Sequence, residues 1–122
     1  MLKYIIVFIG AGIGGSFRYF ISLLTFRILP VVFPFGTLIV NFFGSLLLGF
    51  LIFGLSDREL ISTNLKLFIG IGFCGGFTTF STFSLETMNM LRDSQFLFAG
   101  LNILANIILT LLGVYLAYII TR

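Results

Sequence analysis

One apolar stretch, from Leu65 to Leu91, constrains this chain most, because it combines membrane-spanning length with polar chemistry. It is longer than the roughly 20 residues that a helix needs to cross a bilayer. Yet residues 70–86 include Gly75-Gly76, five hydroxyl side chains and Glu86. A break at the glycine pair would lie near the membrane midplane, where unwound backbone is tolerated only inside protein or beside a polar cavity. Because interrupted helices place backbone ends where ions bind, the stretch predicts an ion-handling membrane protein.

The composition of the whole chain indicates an all-α membrane protein. Hydrophobic residues make up 59% of the 122 positions and charged residues 9%, and the mean hydropathy is +1.21, which is too apolar for a soluble domain of this size. The N-terminal apolar run is too long for a signal peptide and is followed by more spans. We predict one integral membrane domain, residues 1–122, in the cell (inner or plasma) membrane, with multi-pass spans at 4–26, 35–55, 65–91 and 96–121.

Several classes of chemistry lack the side chains they need. Cys74 is the only cysteine and there is no histidine, which excludes an intrachain disulfide and the usual zinc, haem and imidazole relay sites. Residues 70–75 match G-x-G-x-x-G, but a dinucleotide fingerprint needs a preceding strand and an exposed phosphate site, which an apolar span does not offer. Because the basic residues are scattered, no nucleic-acid partner is predicted. No enzymatic activity is predicted either.

Two polar stripes run along the second and fourth spans with a repeat of four residues, which places each stripe on one helix face. The first contains Thr37, Asn41, Ser45 and Gly49, and the second contains Asn102, Asn106 and Thr110. Such residues either join helices through hydrogen bonds or line a pore, and for Asn41 both interpretations stay open. As pore lining, amides and hydroxyls would replace the water around a small anion, although they can also accept hydrogen bonds and so do not define the ion.

Two charged residues, Arg18 and Glu86, lie several residues inside the predicted spans, where an unpaired charge is costly. Arg18 either snorkels to the membrane surface or faces an aqueous vestibule that attracts anions. Glu86 is the one acid within a span, and either serves function or pairs with Arg18 or a hydroxyl. Near Arg18, Gly10 and Gly14 form a GxxxG pattern, which predicts the close approach of another helix.

The orientation of the chain in the membrane is weakly specified. Four spans place Lys3, Arg58, Lys66 and Arg122 on the face of the termini. The other face has two or three basic residues: Arg27, Arg92 and, if it is counted, Arg18. Because orientation follows the asymmetry of Lys and Arg in short loops, so small a bias permits insertion both ways. Four short helices also leave little room for a sealed polar path, so an antiparallel, dual-topology homodimer is the simplest assembly.

Three motifs on three spans resemble the signature set of the Fluc/CrcB fluoride channels. They are GGSFRY at 14–19, GTLIVNFFGS at 36–45 and GFCGGFTTFSTF at 72–83, and the length and span count match over nearly the whole chain. The resemblance implies the same dual-topology homodimer, with two pores, and favours the vestibule interpretation of Arg18.

The resemblance also implies roles for particular residues. Phe80 and Phe83 would project their ring edges into the fluoride path, with Ser81 and Thr82 as nearby hydroxyls. A structural sodium ion on the dimer axis would be held by the backbone carbonyls of Gly75 and Thr78, and Glu86 would lie near one pore mouth. The last span departs from the family pattern, because Asn102 and Asn106 stand where tyrosine and serine are common; Thr110 takes the third position.

We therefore predict a fluoride-selective channel that mediates passive fluoride efflux and lowers cytoplasmic fluoride, with fluoride, sodium, a second copy of the chain and the lipid bilayer as partners. The alternative is a small four-helix, proton-coupled exporter of cationic compounds. That mechanism needs a titrating carboxylate, and Glu86 is the only candidate within a span. A third possibility is a structural subunit whose stripes serve packing alone.

Overall fold

The computed structural model describes the whole chain, from Met1 to Arg122, and contains only helices and connections. The first helix covers Leu2–Ile28. The second begins at Phe35 and ends at Ser56, with its last seven residues, Phe50–Ser56, in a π-helical conformation. The fourth covers Phe96–Thr121. The all-helical fold predicted from the composition is confirmed.

The third helix consists of two halves. Its first half covers Thr63–Lys66, the π-helical turns Leu67–Cys74 and the last turn Gly75–Phe77. Its second half covers Phe80–Arg92. Between the halves, Thr78 and Thr79 are extended, with φ/ψ of −85°/158° and −151°/121°. The expected position of the break was wrong: Gly75 and Gly76 are helical, and the backbone leaves the helix only after Phe77.

Four helical segments are long and apolar enough to cross a membrane: Leu2–Ile28, Phe35–Ser56, Thr63–Arg92 and Phe96–Thr121. Only 21 of the 122 residues are buried within the chain, and large apolar side chains on every helix face outward. In water such a surface would drive aggregation, whereas in a bilayer it contacts lipid. The chain is therefore a multi-pass membrane protein, as the hydropathy predicted.

The four helices pair through glycines as well as side chains. The first helix packs mainly on the first half of the third, and the second packs on the fourth. A Cβ added at Gly10 or Gly14 would collide with the backbone of Phe68 or Phe73, respectively. The close approach predicted from the GxxxG pattern is thus confirmed, and it holds the first half of the third helix in place.

Candidate functional site

A cavity of about 390 Å³ opens beside the extended residues Thr78 and Thr79. We call it the central cavity. Three helices supply its walls: the second, both halves of the third, and the fourth. No charged side chain is among the lining residues, which include Asn41, Ser45, Cys74, Gly75, Thr78, Thr79, Phe80, Phe83, Asn106 and Thr110. The cavity can therefore offer an ion amides, hydroxyls, backbone groups and aromatic rings, but no formal charge.

Asn41 joins the second helix to the break in the third. Its Nδ2 donates to the Thr79 carbonyl at 3.1 Å, and its Oδ1 accepts from the Thr79 N–H at 2.8 Å. Two extended residues cannot satisfy their own backbone groups, and such groups are costly to leave unpaired in a membrane. The side-chain amide of Asn41 replaces the missing helical partners of Thr79, which explains why a helix can be interrupted at this point.

Other side chains complete the ends of the two half-helices. The Thr78 hydroxyl and N–H both donate to the Cys74 carbonyl, at 2.8 and 2.9 Å. The Thr79 hydroxyl accepts from the Thr82 N–H at 3.1 Å and thereby caps the second half. The Arg18 Nε donates to the Gly76 carbonyl at 2.9 Å. Arg18 thus reaches the end of the first half of the third helix.

The nine predicted fluoride-path residues do not all lie in one place. Asn41, Phe80, Phe83, Asn106 and Thr110 come together around the central cavity. Thr37 lies apart from it, in a second cavity described below, which Glu86 also lines. Asn102 lines neither cavity and is completely buried. Ser81 is exposed, and Thr82 is engaged with Thr79, with 3.1 Å between the two hydroxyl oxygens.

The two predicted phenylalanines are neighbours but differ in exposure. Their ring centroids lie 5.4 Å apart with an interplanar angle of 49°. Phe80 is 79% exposed, so its ring extends away from the rest of the chain, whereas Phe83 is half-buried. Both rings border the central cavity, where the electropositive edge of an aromatic ring can face an anion.

Most of the side-chain donors around the central cavity are already engaged within the chain. Asn41 also donates to Asn106 Oδ1 at 3.0 Å, and the Thr110 hydroxyl donates to the Asn106 carbonyl at 2.6 Å. Among the amides and hydroxyls lining the cavity, only Ser45 makes no hydrogen bond. The sequence placed Ser45 on the polar stripe, but only the structure distinguishes it as a free donor.

The second cavity, of about 400 Å³, lies under the connection between the first two helices; we call it the end cavity. Thr37 donates to Glu86 Oε1 at 2.8 Å, while Glu86 Oε2 is buried without a hydrogen-bond partner. Of the two partners suggested for Glu86, the structure shows the hydroxyl. Because Thr37, Asn41 and Ser45 share one helix face, a single polar stripe connects the two cavities.

The fold and its site define a class: a small multi-pass membrane protein with an uncharged polar cavity beside an interrupted helix. Comparison with known families matches residues 5–118 to the model of "CrcB-like protein, Camphor Resistance (CrcB)". The chain belongs to this family, which confirms the resemblance seen in its motifs.

Three relatives, each named fluoride-specific ion channel FluC, illustrate the similarity. The Pyrococcus abyssi protein is 43% identical over 120 residues, covering 97% of this chain and 94% of the relative. The Pyrococcus furiosus protein is 46% identical over 120 residues, covering 96% and 94%. The Shewanella baltica OS185 protein is 46% identical over 116 residues, covering 95% and 93%.

Proposed function

We propose that the chain is a fluoride-selective ion channel that lets cytoplasmic fluoride leave the cell passively. The observation that carries this proposal is the central cavity, where Asn41, Asn106 and Thr110 meet Phe80 and Phe83 without any charged side chain. An uncharged lining of donors and ring edges can replace the hydration shell of a small anion and still release it. The full-length relatives named as fluoride-specific channels support the choice of ion.

Passive conduction is sufficient for the proposed role, and no covalent chemistry is needed. Neutral hydrogen fluoride crosses membranes and ionises inside the cell, so the cell needs only an outward route for the anion. The cellular test is growth in fluoride of a bacterium that lacks its own fluoride exporter. Expression of the wild-type chain should restore growth, and an equally abundant chain that gives no protection would argue against the proposal.

The end cavity would serve as one mouth of the path. The stripe of Thr37, Asn41 and Ser45 leads from this cavity to the central one. The amides that line the central cavity are paired within the chain. A fluoride ion entering this cavity would therefore first meet the Ser45 hydroxyl and the ring edges of Phe80 and Phe83. Arg18 would draw anions toward the protein, although its Nε is held by Gly76.

A dual-topology homodimer is the assembly we propose, with the break in the third helix near the membrane midplane. Its support is the surface around Gly75 and Phe80, both of which are exposed beside the extended Thr78–Thr79 backbone. Non-helical backbone is not tolerated facing lipid, so another protein surface must cover it. A second copy in the opposite orientation would do so and is consistent with the weak Lys and Arg bias.

The topology can be tested with one added thiol. In a Cys74→Ser background, Arg122→Cys should react with a membrane-impermeant maleimide from both sides of the membrane to a comparable extent. Reaction from one side only would contradict dual topology. Cys74 is the only cysteine of the chain and is buried, so its replacement ensures that the added thiol is the single site of labelling.

A structural sodium ion between the copies is the remaining part of the proposal. The backbone carbonyls fit a hard cation. The Thr78 carbonyl accepts no hydrogen bond. In a continuous helix the Gly75 carbonyl would accept from the Thr79 N–H, but that N–H donates to Asn41 instead. Two copies would supply four such carbonyls. Replacing sodium with N-methyl-D-glucamine should weaken the dimer and lower fluoride efflux; an unchanged dimer and efflux would rule the ion out.

A further inference from the structure

A continuous chain of side-chain hydrogen bonds links the break in the third helix to the backbone of Phe83. Asn41 accepts from the Thr79 N–H and donates to Asn106 Oδ1. Asn106 Nδ2 donates to Asn102 Oδ1 at 3.0 Å, and Asn102 Nδ2 donates to the Thr87 hydroxyl at 3.0 Å. The Thr87 hydroxyl donates to the Phe83 carbonyl at 2.8 Å. We call these four side chains, Asn41, Asn106, Asn102 and Thr87, the relay.

The direction of the relay is fixed by its two ends. A backbone N–H can only donate and a backbone carbonyl can only accept. The Thr79 N–H therefore places the oxygen of Asn41 toward the break, and the Phe83 carbonyl requires the proton of Thr87. Each amide between them has one orientation that satisfies both neighbours. Asn106 is held further because its Nδ2 also donates to the Asn102 carbonyl at 3.0 Å.

Two members of the relay cannot act by touching an ion in either cavity. Asn102 is completely buried and Thr87 is 8% exposed, and neither lines the central or the end cavity. Loss of either would leave a buried amide unpaired or free to rotate, which costs free energy where no water is available. Their influence on the cavity has to pass through Asn106 and Asn41 on one side and Phe83 on the other.

We propose that Thr87 and Asn102 are positioning residues: they fix the amide orientations of Asn106 and Asn41, and with them the extended Thr79 backbone and the Phe83 carbonyl. The part of this inference that concerns flux rests on the proposed fluoride channel. The part that concerns orientation does not, because it is visible in the protein without fluoride.

The structural readout is the NMR resonance of the Thr79 amide in the full-length protein in lipid bilayers. Thr87→Val removes the hydroxyl while keeping the shape, and it should shift the Thr79 resonance although no hydrogen bond joins the two residues directly. Thr87→Ser keeps the hydroxyl and should restore the wild-type resonance. The matched control is Ser84→Ala, because Ser84 also donates to a carbonyl four residues back, that of Phe80, but receives no bond from another side chain.

The functional readout is fluoride efflux from liposomes containing the same variants. Thr87→Val should lower efflux about tenfold, whereas Thr87→Ser and Ser84→Ala should stay near wild type. An unshifted Thr79 resonance in folded Thr87→Val would overturn the relay. If wild type carries no fluoride but the resonance moves, the channel proposal fails while the relay stands.

A measurement on the wild type covers the case in which Thr87→Val does not fold. The side-chain amide protons of Asn102 and Asn106 should exchange with deuterated water far more slowly than those of Asn64, which is exposed in the first turn of the third helix. Exchange of the Asn102 amide as fast as that of Asn64 would overturn the relay.

Discussion

The side chain of Asn41 binds the backbone of Thr79 at two points, donating to its carbonyl at 3.1 Å and accepting from its N–H at 2.8 Å. One side-chain amide from the second helix thus replaces the helical partners that Thr79 lacks. The same amide lines the central cavity. The interruption of the third helix and the proposed ion path therefore depend on a single residue.

Asn41→Ala should remove both functions of this residue. Two backbone groups of Thr79 lose their partners, each worth about 1–3 kcal/mol when buried. We expect fluoride efflux to fall at least about tenfold, with a lower unfolding temperature in detergent. Asn64→Ala, at an exposed position in the first turn of the third helix, should change neither value. Full efflux in Asn41→Ala would mean that neither the break nor its amide matters for conduction.

Ser45→Ala should affect conduction without affecting stability. The hydroxyl makes no hydrogen bond within the chain, so its removal leaves no group unpaired, but it deletes the free donor of the central cavity. We expect efflux to fall several-fold while the unfolding temperature stays the same. As a control, Ser16→Ala removes a hydroxyl that bonds only to the carbonyl of Gly12 on an exposed helix face. Equal efflux in both variants would place Ser45 outside the path.

Glu86→Gln separates the channel from the proton-coupled exporter. The amide retains an oxygen that can accept from Thr37, so the local hydrogen bond at the end cavity can persist. A passive channel should keep fluoride efflux within about tenfold of wild type, since the lost charge changes only the potential at the mouth. An exporter needs the titrating carboxylate, so abolished transport combined with cation export by the wild type would favour that alternative.

Gly14→Ala should destabilise the protein through backbone overlap. The added Cβ would lie 2.9 Å from the Phe77 nitrogen and closer still to the Phe73 carbonyl oxygen, and backbone atoms cannot move aside as a flexible side chain can. Overpacking of this kind costs about 1–3 kcal/mol. The control is Gly12→Ala, whose Cβ would meet nothing within 4 Å. Equal unfolding temperatures for the two variants would contradict the close packing of the first and third helices.

The coarse fold follows from the sequence because hydropathy alone separates four long apolar helices. The GxxxG pattern also predicts its contact correctly, since a helix face of small residues has few other uses in a membrane. The position of the break did not follow. By helix propensity the paired glycines are the weakest point of the helix. Asn41 nevertheless stabilises the extended state at Thr79, a few residues beyond them, through a contact between distant parts of the chain.

The residues of the site were also predicted only in part, because contacts between distant parts of the chain are not visible in the sequence. The repeat of four residues groups Asn106 with Thr110 and Asn41 with Ser45, but it does not give the rotation of one helix against another. Asn102 shares the stripe of Asn106, yet it faces Thr87 across the bundle and is buried. Nothing in the sequence singles out Thr87. It follows Glu86 without forming any recognisable motif, and only its contact with Asn102 in the structure indicates its role.

Fluoride efflux from liposomes that contain the purified, folded wild-type chain tests the central claim most directly, with chloride as the paired control. We expect a fluoride electrode to record rapid passive release from these liposomes, and a chloride electrode to record no release above that of protein-free liposomes. Absence of fluoride release from a folded sample, or equal release of both anions, would contradict the account.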